Sequence, residues 1–258
     1  MKKLNTKNPN TWCPGCPNHM ILKSAKEAIS SLIKKGYKHK DFSMVTGIGC
    51  HAKIFDYVNL SGIYGLHGRV LPVMLGMKLG NPKLKVIGFG GDGDTYSEGL
   101  SHFISAGRYN ADMTLIIHNN QSFSLTTGQV TPTSQLGFTA KSEPLGNQNK
   151  PLNPIKLALG SGATFIARCD ANDMKHTKKI LEQAIKHKGF SFIDVIQNCL
   201  IFNPDMGILN KFMYKVNNNS DKKKANFLVN QWDYNVKKGK IPIGIIYKKR
   251  EKTFEEKI

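Results

Sequence analysis

Between residues 18 and 36 the apolar positions Ile21, Ala25, Ile29, Leu32 and Ile33 recur near helical spacing, which predicts an amphipathic helix stopped at Gly36. Beyond it, short apolar runs alternate with helical patterns. "FSMVTG" (42–47) and "GIYGLHGR" (62–69) read as short strands, "VLPVMLGMKLG" as a helix, and "LKVIGFGGDGD" as a strand running into glycines. "TYSEGLSHFISAGRYN" (95–110) reads as a helix and "MTLIIHNN" as a strand. A polar stretch follows over 121–152, then a helix (153–160), the strand "TFIARC", the helix "DMKHTKKILEQAIKHKG" and the strand "FSFIDVIQNC". Past Cys199 the pattern weakens to a linker-like "NNNSDKKKAN" and one apolar strand candidate, "IPIGIIY".

Strands alternating with helices of this length predict an α/β fold, a parallel sheet flanked by helices. The expected organisation is an N-terminal arm and first helix over 1–40, a core over 41–200 and a C-terminal extension over 201–258. Ligands of such sheets sit at the carboxyl ends of strands, and that is where Cys50, Asp92, Asn119, Asn120 and Cys199 fall. The 121–152 stretch is too long for a plain connection, so a lid or partner-binding loop is expected there.

Composition changes this picture little. The chain has 258 residues, and no apolar run is long enough to cross a membrane. "MKKLNTKNPNTW" is basic but lacks the apolar region of a secretory signal, so a cytoplasmic protein with reduced thiols is expected. An odd count of 5 cysteines argues against a disulfide framework. The net charge of +19 has three readings: background lysine bias, attraction of an acidic partner, or nucleic acid. With Arg69, Arg108, Arg168 and Arg250 as the arginines and no recognition motif, nucleic acid is the weakest of them.

The candidate chemistry begins at "GFGGDG" (88–93), which matches the GxGxxG dinucleotide fingerprint after a strand. That reading needs an acid at the end of the next strand. There Asp112 stands at the start and amides at the end, which argues against a nicotinamide cofactor. The same residues also suit Mg²⁺ and a diphosphate. Asp92 and the Asn119-Asn120 pair supply oxygens from neighbouring strand ends, and the glycines let backbone approach phosphate. This is the GDG…NN pattern of thiamine diphosphate enzymes. "CPGC" (13–16) alone fits zinc, thiol redox chemistry or an iron–sulfur cluster.

Taken together, "WCPGC", "GIGC", "LHGR", "GGDGD", "HNN", "LTTGQ…PT", "NPI.LA…GATF.AR", "KHKGFSFIDV.Q.C" and "IPIGI.Y", in this order, resemble the beta subunit of 2-oxoacid:ferredoxin oxidoreductases. The resemblance implies a thiamine diphosphate-binding fold with an N-terminal cluster-binding arm. It implies that Cys13, Cys16, Cys50 and Cys199 hold a 4Fe-4S cluster, leaving Cys169 as a packing residue. It implies that Asp92 and Asn120 hold Mg²⁺ through side chains and Ser122 through its carbonyl. Ile48, Gly49, Cys50, His51, His67, Gly93, Asp94, Ser124 and Leu125 match positions that touch the cofactor. Lys53 and Thr127 match positions near the bound oxoacid, although some relatives carry lysine in place of Thr127, a cation that could meet a substrate carboxylate.

The family's reaction is oxidative decarboxylation of a 2-oxoacid with coenzyme A, the electrons leaving through the cluster to ferredoxin. The resemblance also implies an alpha subunit that contributes the glutamate activating thiamine, so activity is expected from an alpha–beta heteromer. Zinc fits four thiolates as well as iron does. Two other readings therefore stand beside it: a non-redox thiamine diphosphate enzyme subunit with a structural metal, and a basic, zinc-stabilised nucleic-acid-binding module.

Overall fold

A computed structural model describes residues 2–218, 220–235 and 239–258. Its strands are β1 (Phe42–Thr46), β2 (Ser61–Tyr64), β3 (Lys85–Gly91), β4 (Met113–Asn119), β5 (Phe165–Asp170), β6 (Ser191–Ile196), β7 (Met213–Asn217) and β8 (Ile241–Lys248). Its α-helices are α1 (Asn18–Lys34), α2 (Ile54–Tyr57), α3 (Val70–Gly80), α4 (Asp92–Tyr96), α5 (Leu100–Tyr109), α6 (Pro154–Ser161), α7 (Met174–Lys186) and α8 (Lys222–Val229). The strands form one sheet in the order β2-β1-β3-β4-β6-β5-β8-β7. All neighbours are parallel except β5 and β8.

The sheet is covered on both faces, as its parallel strands require. Because side chains alternate along a strand, Leu115 and Ile117 of β4 enter one core and Ile116 the other. The first core is closed by α3, α5, α6 and α8 through residues such as Met74, Phe103, Ile155 and Leu228. The second is closed by α1, α2 and α7, and there Ile21, Ala25, Ile29 and Leu32 of the predicted helical stripe are buried, with Ile33 half-buried against the same core. Asp173 starts α7 by accepting the His176 N–H at 3.1 Å. Replacing it by Ala should cost about 1 kcal/mol, read as a lower midpoint in urea unfolding.

Two expectations change. The helix expected over 95–110 is two helices, α4 and α5, because Ser97 takes ψ −94°, which no α-helix accommodates. Helix α4 already starts at Asp92. The linker-like 217–226 stretch contains the end of β7 and the start of α8. Asp221 caps α8 by accepting the Lys224 N–H at 2.9 Å, and the lysines face outward while Ala225, Leu228 and Val229 are buried. Within 121–152, Gln121, Ser122, Thr131, Thr133, Ser134 and Asn147 are buried, so much of the segment is packed against the strand ends.

Two features of the topology place the site. The chain leaves β1 for β2 on one side and, after β3, turns to β4 on the other. The carboxyl ends of β1 and β3 thus flank a switch point, the usual ligand crevice of open α/β sheets. The segment after Cys199 adds β7 and β8 to the far edge of the same sheet.

Candidate active site

Strand β1 ends in Gly47-Ile48-Gly49, and Gly49 has φ 144°, a backbone state that favours glycine. The sharp turn there aims Cys50 and His51 back at the switch point, where they head a 3₁₀ turn, Cys50–Lys53. Strand β3 delivers Gly91, Asp92 and Gly93, and β4 delivers Asn120. A cleft lined by Ile48, Gly49, Cys50, His51, His67, Asp92, Gly93, Asp94, Asn120, Ser122, Ser124 and Leu125 results. Twelve positions scattered over the sequence therefore meet in one crevice.

Asp92 is the polar centre of this cleft. Its Oδ2 accepts the hydroxyls of Thr131 at 2.6 Å and Thr133 at 2.8 Å. Burial pushes its carboxyl up to about 6, against the lowering effect of those hydroxyls and of the Asp92 and Asn120 backbone N–H groups. Asn120 donates to Ser124 Oγ at 3.0 Å and accepts the Ser122 N–H at 3.0 Å through Oδ1. Its neighbour Asn119 is fully buried and faces inward, donating to Asp194 at 3.0 Å. Of the amide pair, Asn120 is thus the one that reaches the cleft. A dry carboxylate and an amide oxygen are hard-oxygen donors of the kind Mg²⁺ takes, with its remaining positions left for phosphate and water.

Asp94 does different work. Its Oδ1 accepts the Gly68 N–H at 2.6 Å and the Ile48 N–H at 3.5 Å, joining the β1 and β2 loops. His51 Nε2 lies 3.3 Å from Asp94 Oδ2, outside hydrogen-bond geometry. Burial works to raise the Asp94 carboxyl, yet His51, the Gly68 N–H and His67 together hold it below the usual carboxylate range. His67 Nδ1 is 2.7 Å from Glu98 Oε2 and 4.0 Å from Asp94 Oδ1.

The cleft also uses residues that the motif reading did not single out: His118, Phe123, Thr126 and Gln197 line it. The buried atoms His118 Nε2, Gln197 Oε1 and Ser122 Oγ have no hydrogen-bond partner among the described residues. Such atoms suit a polar ligand, as a thiamine diphosphate site would require. "HNN" and "IQNC" contain His118 and Gln197, but nothing in their spacing tells a cleft residue from a core one. Thr133 closes the "LTTGQ…PT" match and Thr131 lies just before it, but nothing in that spacing shows that both hydroxyls reach Asp92.

The cysteine arm lies beside this cleft. In the CPGC turn the Cys16 N–H bonds the Cys13 carbonyl at 3.1 Å, and Gly15 takes φ 77° with Leu200 adjacent. The turn therefore packs against the loop that carries Cys199. Trp12 Nε1 donates to the Cys50 carbonyl at 2.6 Å, which ties the arm to the β1 loop. Burial, with the neighbouring Cys199, Cys50 and Cys13 adding to it, pushes the Cys16 thiol up to about 11. Burial likewise raises Cys50, with Cys199 and Cys13 adding to it and Lys53 opposing. Among the described residues no three His, Cys, Asp or Glu side chains are grouped closely enough to grip one metal ion. A cubane needs a wider set than a single ion does, because each thiolate bonds its own iron. Cys13, Cys50 and Cys199 all act electrostatically on Cys16, which puts the four thiols in one neighbourhood as such a set would need. Cys169 stands apart, fully buried inside β5.

Lys53 and Thr127 are not among the lining residues. The Lys53 ammonium lies 3.4 Å from the Thr11 carbonyl, on the arm side. Thr127 is exposed at the rim with φ 80°. No helix among the described residues is long and apolar enough to cross a membrane.

Comparison with known proteins adds to this geometry. Residues 47–195 match the family described as thiamine pyrophosphate enzyme, C-terminal TPP binding domain. The chain is 50% identical over 196 residues to a 2-oxoacid:ferredoxin oxidoreductase subunit beta of Saccharolobus solfataricus, covering 75% of this chain and 63% of that protein. It is 41% identical over 274 residues to the corresponding subunit of a Sulfolobus species, covering 96% and 85%. The chain thus spans less than two thirds of the first of these relatives. A solved structure of 2-oxoglutarate:ferredoxin oxidoreductase from Magnetococcus marinus, with 2-oxoglutarate, coenzyme A and succinyl-CoA bound, superposes with a TM-score of 0.93 at 31% identity. That match covers 99% of this chain and 87% of that one.

Proposed function

Because the chain belongs to the beta-subunit family of 2-oxoacid:ferredoxin oxidoreductases, we propose that it carries the thiamine diphosphate and 4Fe-4S half of such an enzyme. The complex would convert a 2-oxoacid and coenzyme A to acyl-CoA and CO₂ and reduce ferredoxin. One observation carries the reading. Cys50 lines the cleft and also lies among the clustered thiols, so a single loop would join cofactor and electron relay.

In this reading Asp92 and Asn120 hold Mg²⁺ with side-chain oxygens, and the Ser122 carbonyl completes the protein's share. Thiamine diphosphate, when bound, supplies the electron sink for decarboxylation. Ile48 and Leu125 are 37% and 46% exposed at the cleft mouth, apolar edges suited to covering an aromatic cofactor. Asp94 fixes the two loops that frame the cleft, and His51 stays aligned through its carboxylate. Cys13, Cys16, Cys50 and Cys199 would hold the cluster, which would supply a one-electron relay beside the cleft. An alpha subunit supplies the glutamate that activates thiamine. The charge of +19 suits an acidic ferredoxin by raising the encounter rate.

The test is oxoacid-dependent ferredoxin reduction by the complex assembled with its alpha partner. Pyruvate, 2-oxoglutarate and longer oxoacids are compared at fixed coenzyme A. Reduction with at least one of them, from a brown protein with a reducible cluster, is expected. Stoichiometric zinc without iron, or oxoacid decarboxylation without electron transfer, would sink the proposal. Loss of the steering term should also lower the apparent rate as salt rises from low to physiological strength.

A further inference from the structure

A buried network runs from the C-terminal segment to the loop that carries Asn120. Arg168 of β5, Asp194 of β6 and Tyr234 are all fully buried. The Tyr234 hydroxyl accepts Arg168 Nε at 3.3 Å and Nη2 at 3.1 Å, and donates to Asp194 Oδ2 at 2.5 Å. Arg168 Nη1 donates to the Pro242 carbonyl at 3.0 Å, and its guanidinium lies 5.1 Å from the ring centres of both Trp232 and Tyr234. A buried charge pair of this kind persists only when every member is hydrogen-bonded, and breaking one link is expensive.

The far end of the network is functional in address. Asp194 Oδ1 accepts the Asn119 amide at 3.0 Å, fixing the residue before Asn120. The Tyr234 carbonyl accepts the Gln121 amide at 2.8 Å, fixing the residue after it. Gln121 sits at φ 54°, a left-handed state that costs a non-glycine residue free energy and needs outside support. Asn119 Oδ1 in turn accepts Thr133 Oγ1 at 3.3 Å, and the same hydroxyl reaches Asp92 at 2.8 Å. Both neighbours of Asn120 are therefore held from one residue, and that residue lies 113 positions beyond Gln121 in the chain.

We propose that Tyr234, through Asp194 and Gln121, is a positioning residue that holds the Asn119–Gln121 turn in its metal-binding shape. The C-terminal segment then serves the cofactor site although it does not line the cleft. The proposal rests on the assignment of Asp92 and Asn120 to Mg²⁺ made above. It assigns to Tyr234 an effect on how tightly the metal and the diphosphate are held, with no role in the chemistry.

The experiment uses the complex with its alpha partner, stripped of cofactor. Thiamine diphosphate binding is titrated calorimetrically at stepped Mg²⁺ concentrations for wild type, Tyr234→Phe, Gln121→Met and the remote cap variant Asp173→Ala. Tyr234→Phe and Gln121→Met are expected to raise the Mg²⁺ concentration for half-maximal binding about tenfold, at the low end of what losing a group behind a metal ligand costs, with iron content unchanged. Asp173→Ala, destabilised but remote, should leave the Mg²⁺ dependence where wild type has it. Gln121→Met leaves the charged network whole, so it decides the matter if Tyr234→Phe does not fold. Folded variants with wild-type Mg²⁺ dependence, or an equal shift in Asp173→Ala, overturn the proposal. A wild-type complex without Mg²⁺-dependent binding overturns the metal assignment itself and the proposal with it.

Discussion

Asp92→Ala should abolish Mg²⁺-dependent thiamine diphosphate binding while leaving the fold and the iron content intact. The reason lies in how Asp92 is held. It is 2% exposed at the end of a central strand, and two threonine hydroxyls fix one of its oxygens. Burial pushes its carboxyl up to about 6, against the lowering effect of its hydroxyl and backbone hydrogen bonds. A divalent cation nearby reverses that balance and favours the ionised form. Removing the side chain takes away the strongest oxygen donor of the proposed metal site and leaves Thr131 and Thr133 without their shared carboxylate acceptor. Loss of a group merely behind a metal ligand costs roughly 10–100-fold in affinity, so loss of the ligand itself should exceed that range. Calorimetric titration of thiamine diphosphate with and without Mg²⁺ measures it. Wild-type affinity in the variant would take Asp92 out of the metal site.

The residues around Asp92 also show where sequence reading reaches and where it stops. The alternation of strands and helices is local, so β1, β3, β4, β5, β6, α1, α3, α6 and α7 were all visible in apolar periodicity. The break at Ser97 was not, because the apolar spacing continues across it and only one backbone torsion ends α4. Helix α8 was hidden by composition: the lysine run that looked like a linker is its solvent face. In the site, Gly93, Asp94 and Asn120 sit in compact motifs, and compact motifs carry their own spacing. His118 and Gln197 reach the cleft because β4 and β6 end side by side, and Thr131 and Thr133 reach Asp92 because the segment after β4 folds back over the strand ends. Tyr234 is the extreme case. Its link to the cofactor loop depends on β8 entering the sheet beside β5, a pairing no local pattern encodes.

Cys50→Ala should eliminate oxoacid-dependent ferredoxin reduction, reducing it to the background of the uncatalysed assay, whereas Cys169→Ala should retain it. Both cysteines are well covered, and both thiols are pushed up by burial. What separates them is company. Cys50 is raised further by Cys199 and Cys13, beside a cleft it also lines. Cys169 is enclosed by the second core, packed with Ala167, Ala171 and Val195. A thiol that is hard to ionise binds metal only where the cation repays ionisation, and a shared cluster does so for all its ligands together. Removing Cys50 would therefore strip one corner of the proposed cluster, while the Cys50 backbone carbonyl that Trp12 clamps stays in place. Removing Cys169 leaves a small cavity and costs stability in proportion to its volume, with no effect on iron. Iron content, the visible absorption of the protein and electron paramagnetic resonance of the reduced complex distinguish the two outcomes. An intact cluster signal in Cys50→Ala, or its loss in a folded Cys169→Ala, would mean that the thiol set had been drawn around the wrong cysteine.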